Sequence, residues 1–226
     1  MLGKDHRFAC RAPGIVAGIV NQSDTTFLDD LASAAPTPGG GSASAYTGAL
    51  AAGLVAMVAR LTVGKRKYKA VEEQMWALIE QAEDLRAALT DAVEEDAIAF
   101  DAVMAAFKLP KSTDEEKTAR TQAIQAATLR ATEVPLDTAA KSVQVMELAL
   151  QAAAQGNTNA ITDAGTAAAF ARAALTGAGL NVRINLASLD AKATVRKLTK
   201  QLKALEKNAA KLEKQIQAEL KTRGGL

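Results

Sequence analysis

Apolar residues along the chain fall into helical periods, separated by short polar or glycine-rich breaks. Phe27, Leu28 and Leu31 share one face of a short first helix, capped by Ser23 or Thr25 and ended by Pro36. From Ser42 to Val63 the only charge is Arg60, and Gly64 supplies the stop. Ser44, Gly48 and Ala52 recur every fourth residue there, a small-residue face that lets another helix come close. A long helix is predicted from about Ala70 to Phe107. Its stripe runs Val71, Met75, Leu78, Ala82, Leu85, Leu89, Ala92, Asp96, Phe100, Val103, Phe107, in steps of four and three. Thr113-Asp114-Glu115-Glu116 reads as a capping box for the next helix. Pro135 is expected to break or kink that pattern, giving one helix to about Glu133 and another from Pro135 to Gln155. Asn157 through Gly165 is polar and small, and opens an apolar helix through Ala167 to Leu189. From Asp190 to about Lys221 a heptad stripe of Val195, Leu198, Leu202, Leu205, Ala209, Leu212, Ile216 and Leu220 lies opposite a lysine-rich face. The charges read most simply as a solvated outer face, with a coiled contact with a second subunit as the sharper alternative.

Composition sharpens this picture. Apolar residues are 49% of the 226 and aromatics 4%, so the core is built from Ala, Leu, Val and Ile, which favours closely packed helices over a sheet. The expected fold is all-α, a bundle of long antiparallel helices spanning residues 25–226, behind a flexible extension over residues 1–24. Lys4, Arg7 and Arg11 ahead of an apolar run loosely resemble a signal peptide, but Pro13, Gly14 and Gly18 interrupt it and no clean small-x-small site follows. Ser42 to Val63 is long enough to cross a membrane, yet it is rich in Ala, Gly, Ser and Thr and is followed by charged amphipathic helices. The soluble reading is preferred, with a cytoplasmic location and no membrane partner. A net charge of +2 gives no reason to expect nucleic acid. With one His (His6) and one Cys (Cys10), a disulfide within the chain is impossible and neither a His/Cys metal site nor a cofactor is expected.

The candidate chemistry begins at Pro36-Thr37-Pro38-Gly39-Gly40-Gly41-Ser42. A glycine loop feeding a helix N-terminus, capped by Ser42 or Ser44, presents free N–H groups to an anion or a polar ring; a tight turn between packed helices reads equally well. The glycine spacing fits neither a dinucleotide fingerprint nor a Walker A loop. Asp96 sits on an apolar stripe. There it is either a core-facing carboxylate that needs a partner or a raised pKa, or a boundary residue beside a Lys or Arg. Asn181 and Asn185, four apart, share a helix face, with capping and interhelical bonds the simplest use for them.

Taken together, Pro36 to Gly41, Leu61-Thr62-Val63-Gly64-Lys65-Arg66-Lys67-Tyr68, Glu95 to Phe100, Asn157 to Asp163 and Leu180 to Asn185 resemble the cyclodeaminase/cyclohydrolase family of tetrahydrofolate enzymes, over about Phe27 to Leu189. The stretches Leu109 to Lys117 and Val134 to Leu136 look closer to its stand-alone cyclohydrolases. The resemblance implies a homodimer with a folate site in a groove at or near the subunit interface. It implies hydrolysis of 5,10-methenyltetrahydrofolate to 10-formyltetrahydrofolate, or alternatively ammonia-releasing closure of 5-formiminotetrahydrofolate. Within it Asp96 is the expected catalytic carboxylate, stabilising the cationic ring and activating water, with Asp163 second. Pro38, Gly39, Gly40, Gly41 and Ser42 are expected against the folate. Lys65, Lys67 and Tyr68 are expected at its glutamate tail, and Asn157, Asn181 and Asn185 at polar edges. A non-catalytic helical scaffold and a folate sensor without turnover are the readings from other classes.

Overall fold

The computed structural model describes residues 22–226, with side chains from Thr26 onward. The expectations placed on His6, Cys10 and the leader-like run lie outside the described residues. Those residues form helices α1 (Gln22–Leu31), α2 (Gly40–Arg60), α3 (Glu72–Phe107), α4 (Asp114–Gln155), α5 (Ile161–Leu186) and α6 (Lys192–Gly224), and no strand. Two short 3₁₀ turns, Arg66–Val71 and Thr158–Ala160, precede α3 and α5.

α2 is the central element and packs on α3, α4 and α5. It alone among the described helices is long and apolar enough to cross a membrane, and most of it is buried inside the bundle. Its small residues explain how three helices reach it. A Cβ on Gly48 would lie 3.2 Å from Leu89 Cδ1 on α3, and one on Gly177 of α5 would overlap Ser44 Oγ. α2 and α5 are antiparallel: Gly40 faces Asn181, and Ser44 faces Gly177. Arg60 joins Glu83 at 2.9 Å, tying the far end of α2 to α3.

Three expectations are corrected and one alternative is decided. Neither Ser42 nor Ser44 caps α2: the helix starts at Gly40, its N-cap Gly39 supplies no side-chain bond, and both serines lie inside the helix. α1 begins before Ser23 and ends at Leu31, short of Pro36. α4 runs unbroken through Pro135, because a neighbouring helix replaces the bond the proline lacks. The heptad stripe of α6 is turned inward. Leu198, Leu202, Ala209, Leu212, Ile216 and Leu220 are buried against the chain's own bundle, so this stripe is not a seam for a second subunit. The expected capping box is present: Thr113 Oγ1 accepts from the Glu116 amide, and Glu116 Oε2 accepts from the Thr113 amide. At the other end of α4, Arg223 of α6 donates to the carbonyls of Ala153 and Gly156, a cation at a helix C-terminus.

Candidate functional site

The first turn of an α-helix has N–H groups with no partner inside the helix. At α2 a carboxylate from another helix serves one of them. Asp96, on α3, accepts from Ser42 Oγ at 3.1 Å and from the Ser42 amide. Ser42 Oγ also lies 3.0 Å from the Val93 carbonyl, which holds the hydroxyl against α3. The carboxylate occupies the space a side chain at position 41 would fill, for a Cβ built on Gly41 would overlap both of its oxygens. Gly41 is therefore required by this approach and not by its own backbone conformation.

Asp96 is half-buried, and its partners are Ser42 groups in place of a Lys or Arg. Burial pushes its carboxyl above the usual aspartate range, and the bonds from the Ser42 hydroxyl and amide offset that only in part. A carboxylate held in this way is a better proton acceptor than a solvated one, and it is placed to sit against a cation. The same end of the bundle holds Gly40, 3.5 Å (as a Cβ) from Asn181 Nδ2, while Asn181 itself donates to the Gly177 carbonyl. A cleft of about 400 Å³ opens beside it, bounded by Pro38, Tyr46, Val93, Glu94 and Ala97. Phe27 stacks on Tyr46 with ring centroids 4.8 Å apart. Sequence reasoning misses Tyr46 and Glu94. Tyr46 is the sole aromatic residue in a helix of small side chains, which is the available signal.

The remaining candidates gather at the other end of α2. Tyr68 is buried, and its hydroxyl accepts from the Thr158 amide at 3.0 Å and lies 3.2 Å from Thr158 Oγ1. Asn157 is fixed by bonds of its own: its amide to Thr62 Oγ1 at 2.8 Å, its Nδ2 to the Leu61 carbonyl at 3.0 Å. Those bonds stitch the α4–α5 connection to the end of α2, the role of a structural amide. The bonds from the Thr158 hydroxyl and amide, helped by Lys67 and opposed by burial, bring the Tyr68 phenol down to about 8. Lys67 Nζ lies 5.2 Å from the ring centroid, and Lys65 is exposed at the head of the same turn. Asp163 is half-buried in the first turn of α5 at this end.

The 21 residues of α2 put about 30 Å between the two groups. Within one chain, Asp96, Gly40, Gly41, Ser42 and Asn181 come together. Lys65, Lys67, Tyr68, Asn157 and Asp163 do not join them, so Asp163 cannot assist Asp96 within the chain. Asn185 faces neither group: its Nδ2 donates to the Ala131 carbonyl of α4 at 2.6 Å.

Comparison with known proteins agrees with this architecture. A family model described as formiminotransferase-cyclodeaminase matches residues 23–204. A methenyltetrahydrofolate cyclohydrolase of Methylorubrum extorquens is 46% identical over 203 residues, covering 90% of this chain and 98% of that protein. The formimidoyltransferase-cyclodeaminase of Rattus norvegicus is 38% identical over 169 residues, 74% of this chain but 31% of that longer protein. The crystal structure of a formiminotetrahydrofolate cyclodeaminase from Thermotoga maritima superposes with a TM-score of 0.80 at 28% identity, covering 90% of this chain and 96% of that one.

Proposed function

Because the chain belongs to the formiminotransferase-cyclodeaminase family, we propose that it is a methenyltetrahydrofolate cyclohydrolase, acting in the cytoplasm on one-carbon units carried by tetrahydrofolate. The observation that carries the reading is the Asp96 carboxylate, half-buried, without a cation, at the open start of α2. The substrate supplies the missing cation. Its amidinium carbon, bonded to N5 and N10, is electrophilic, and a carboxylate beside it stabilises the charge while accepting a proton from water. Oxygen bonds to that carbon as the proton passes to Asp96. The tetrahedral adduct then collapses with cleavage of the carbon–N5 bond, N5 takes a proton, and the formyl group stays on N10. One proton is released to solvent, which balances loss of the positive charge.

The proposal includes a homodimer. α2 turns Tyr46, Leu50, Gly53 and Met57 outward in steps of four and three, and Phe170 of α5 flanks them. Leu50 is 45% exposed, Met57 37% and Phe170 38%, an apolar strip centred on the middle of α2. A second copy laid antiparallel on this strip by a two-fold axis brings the acidic end of one protomer, with Glu94 and Asp96, against the basic Lys65-Arg66-Lys67 end of its partner. Charge complementarity supports that arrangement over a parallel one, which would set like charges together. It also places a folate whose ring meets Asp96 within reach of lysines for its glutamate tail.

The test is loss of the 5,10-methenyltetrahydrofolate chromophore at a pH where spontaneous hydrolysis is slow. Decay proportional to protein supports a cyclohydrolase. Ammonia release from 5-formiminotetrahydrofolate, with no effect on the methenyl compound, would replace it with the cyclodeaminase reading.

A further inference from the structure

Proline has no N–H, so a proline inside an α-helix leaves the carbonyl four residues before it without its donor. In α4 that carbonyl belongs to Ala131, and the proline is the buried Pro135. Asn185 of α5 donates Nδ2 to this same oxygen at 2.6 Å. The amide thus supplies, from a neighbouring helix, the bond the proline deletes, which is why α4 continues for another 20 residues past Pro135 to Gln155.

The bond also sets the position of α5. One turn before Asn185 is Asn181, which faces Gly40, and one turn before that is Gly177, against which Ser44 packs. Gly177, Asn181 and Asn185 form one face of α5 that passes from the second turn of α2, across its first residue, to α4. The start of α2 is where Ser42 holds Asp96. We infer that Asn185 is a positioning residue and not a folate ligand: its pairing with the carbonyl freed by Pro135 fixes α5, and through Asn181 and Gly40 the N-terminus of α2, in the register that presents Asp96. The catalytic half of this statement rests on the function proposed above; the pairing itself does not.

A double-mutant cycle separates the two. In Pro135→Ala the substituted residue has an N–H of its own, which serves the Ala131 carbonyl, and Asn185 becomes dispensable. Asn185→Ala alone is expected to lower turnover about tenfold and the melting temperature by roughly 3–10 °C. In the Pro135→Ala background the same change is expected to cost less than about twofold in turnover and a small part of that melting shift. Asn185→Asp, similar in shape but with no donor, is expected to match or exceed the alanine variant. If Asn185→Ala alone does not fold, recovery of folding in the double variant is the same result in another form. Equal losses from Asn185→Ala in both backgrounds would overturn the pairing. Coupled melting temperatures with uncoupled turnover would overturn the positioning role and return Asn185 to the substrate. A chain inactive on folate would still show or lack the melting coupling, so failure of the functional reading is distinguishable.

Discussion

At the scale of single residues, the site consists of a carboxylate and the glycine that makes room for it. Gly41→Ala would push a methyl into the Asp96 carboxylate, and a displacement of about 1 Å there is expected to cost on the order of a hundredfold in kcat/KM. Near-normal circular dichroism would show that the bundle survives. Because burial raises the Asp96 carboxyl, the acid limb of the kcat/KM profile should lie above the ordinary aspartate range. The sign for stability is opposite: a raised folded pKa means the fold gains stability as pH falls through it, and loses that gain as pH rises. Tyr68 offers a separate check. Its phenol should ionise near pH 8, seen as a phenolate absorbance absent from Tyr68→Phe, and Lys67→Ala should move the midpoint up. Since that pKa is lowered, the ionised ring stabilises the fold, in full above pH 10 and decreasingly as pH falls through about 8. Asp96 stands out in the sequence because a stripe position holds an acid. Its partner does not, because Ser42 lies 54 residues away and periodicity carries no information across helices.

At the scale of elements, close contact governs. Gly177→Ala would set a methyl against Ser44 Oγ, and should destabilise the protein by about 1–3 kcal/mol in denaturant unfolding. In a Ser44→Ala background most of that cost should vanish. Helix identities, the inward stripe of α6 and that of α3 from Met75 to Ala92 are legible because one face of each must be apolar, whereas past Asp96 the α3 stripe leaves the core and Phe107 is exposed. The expected break at Pro135 fails for a physical reason: propensity counts the lost bond, whereas the fold replaces it from Asn185. The start of α2 departs from expectation through the same kind of event, since its first turn holds glycines poor in helix propensity and an outside carboxylate bonds Ser42 beside them.

At the scale of the whole molecule, the candidate residues occupy two ends of a bundle about 30 Å apart. Sequence order cannot show this, since motif spacing along a chain does not measure distance between antiparallel helices. The proposed two-fold dimer through α2 would reunite them, and mixing tests it. Asp96→Asn and Lys67→Ala/Tyr68→Phe proteins, each weak alone, should regain activity when exchanged into heterodimers, which carry one intact site. No recovery, with exchange confirmed by mass, would mean that each protomer works alone. Leu50→Glu should yield monomers in sedimentation, since it places a charge at the centre of the apolar strip.

The most direct measurement is the single-turnover hydrolysis of 5,10-methenyltetrahydrofolate by the wild type and by Asp96→Asn. Asparagine keeps an oxygen for the Ser42 bonds and cannot accept the proton of water. The expected result is a loss of about a thousandfold or more, with a melting temperature unchanged or higher. Wild-type turnover in a folded Asp96→Asn protein would contradict the account at its centre.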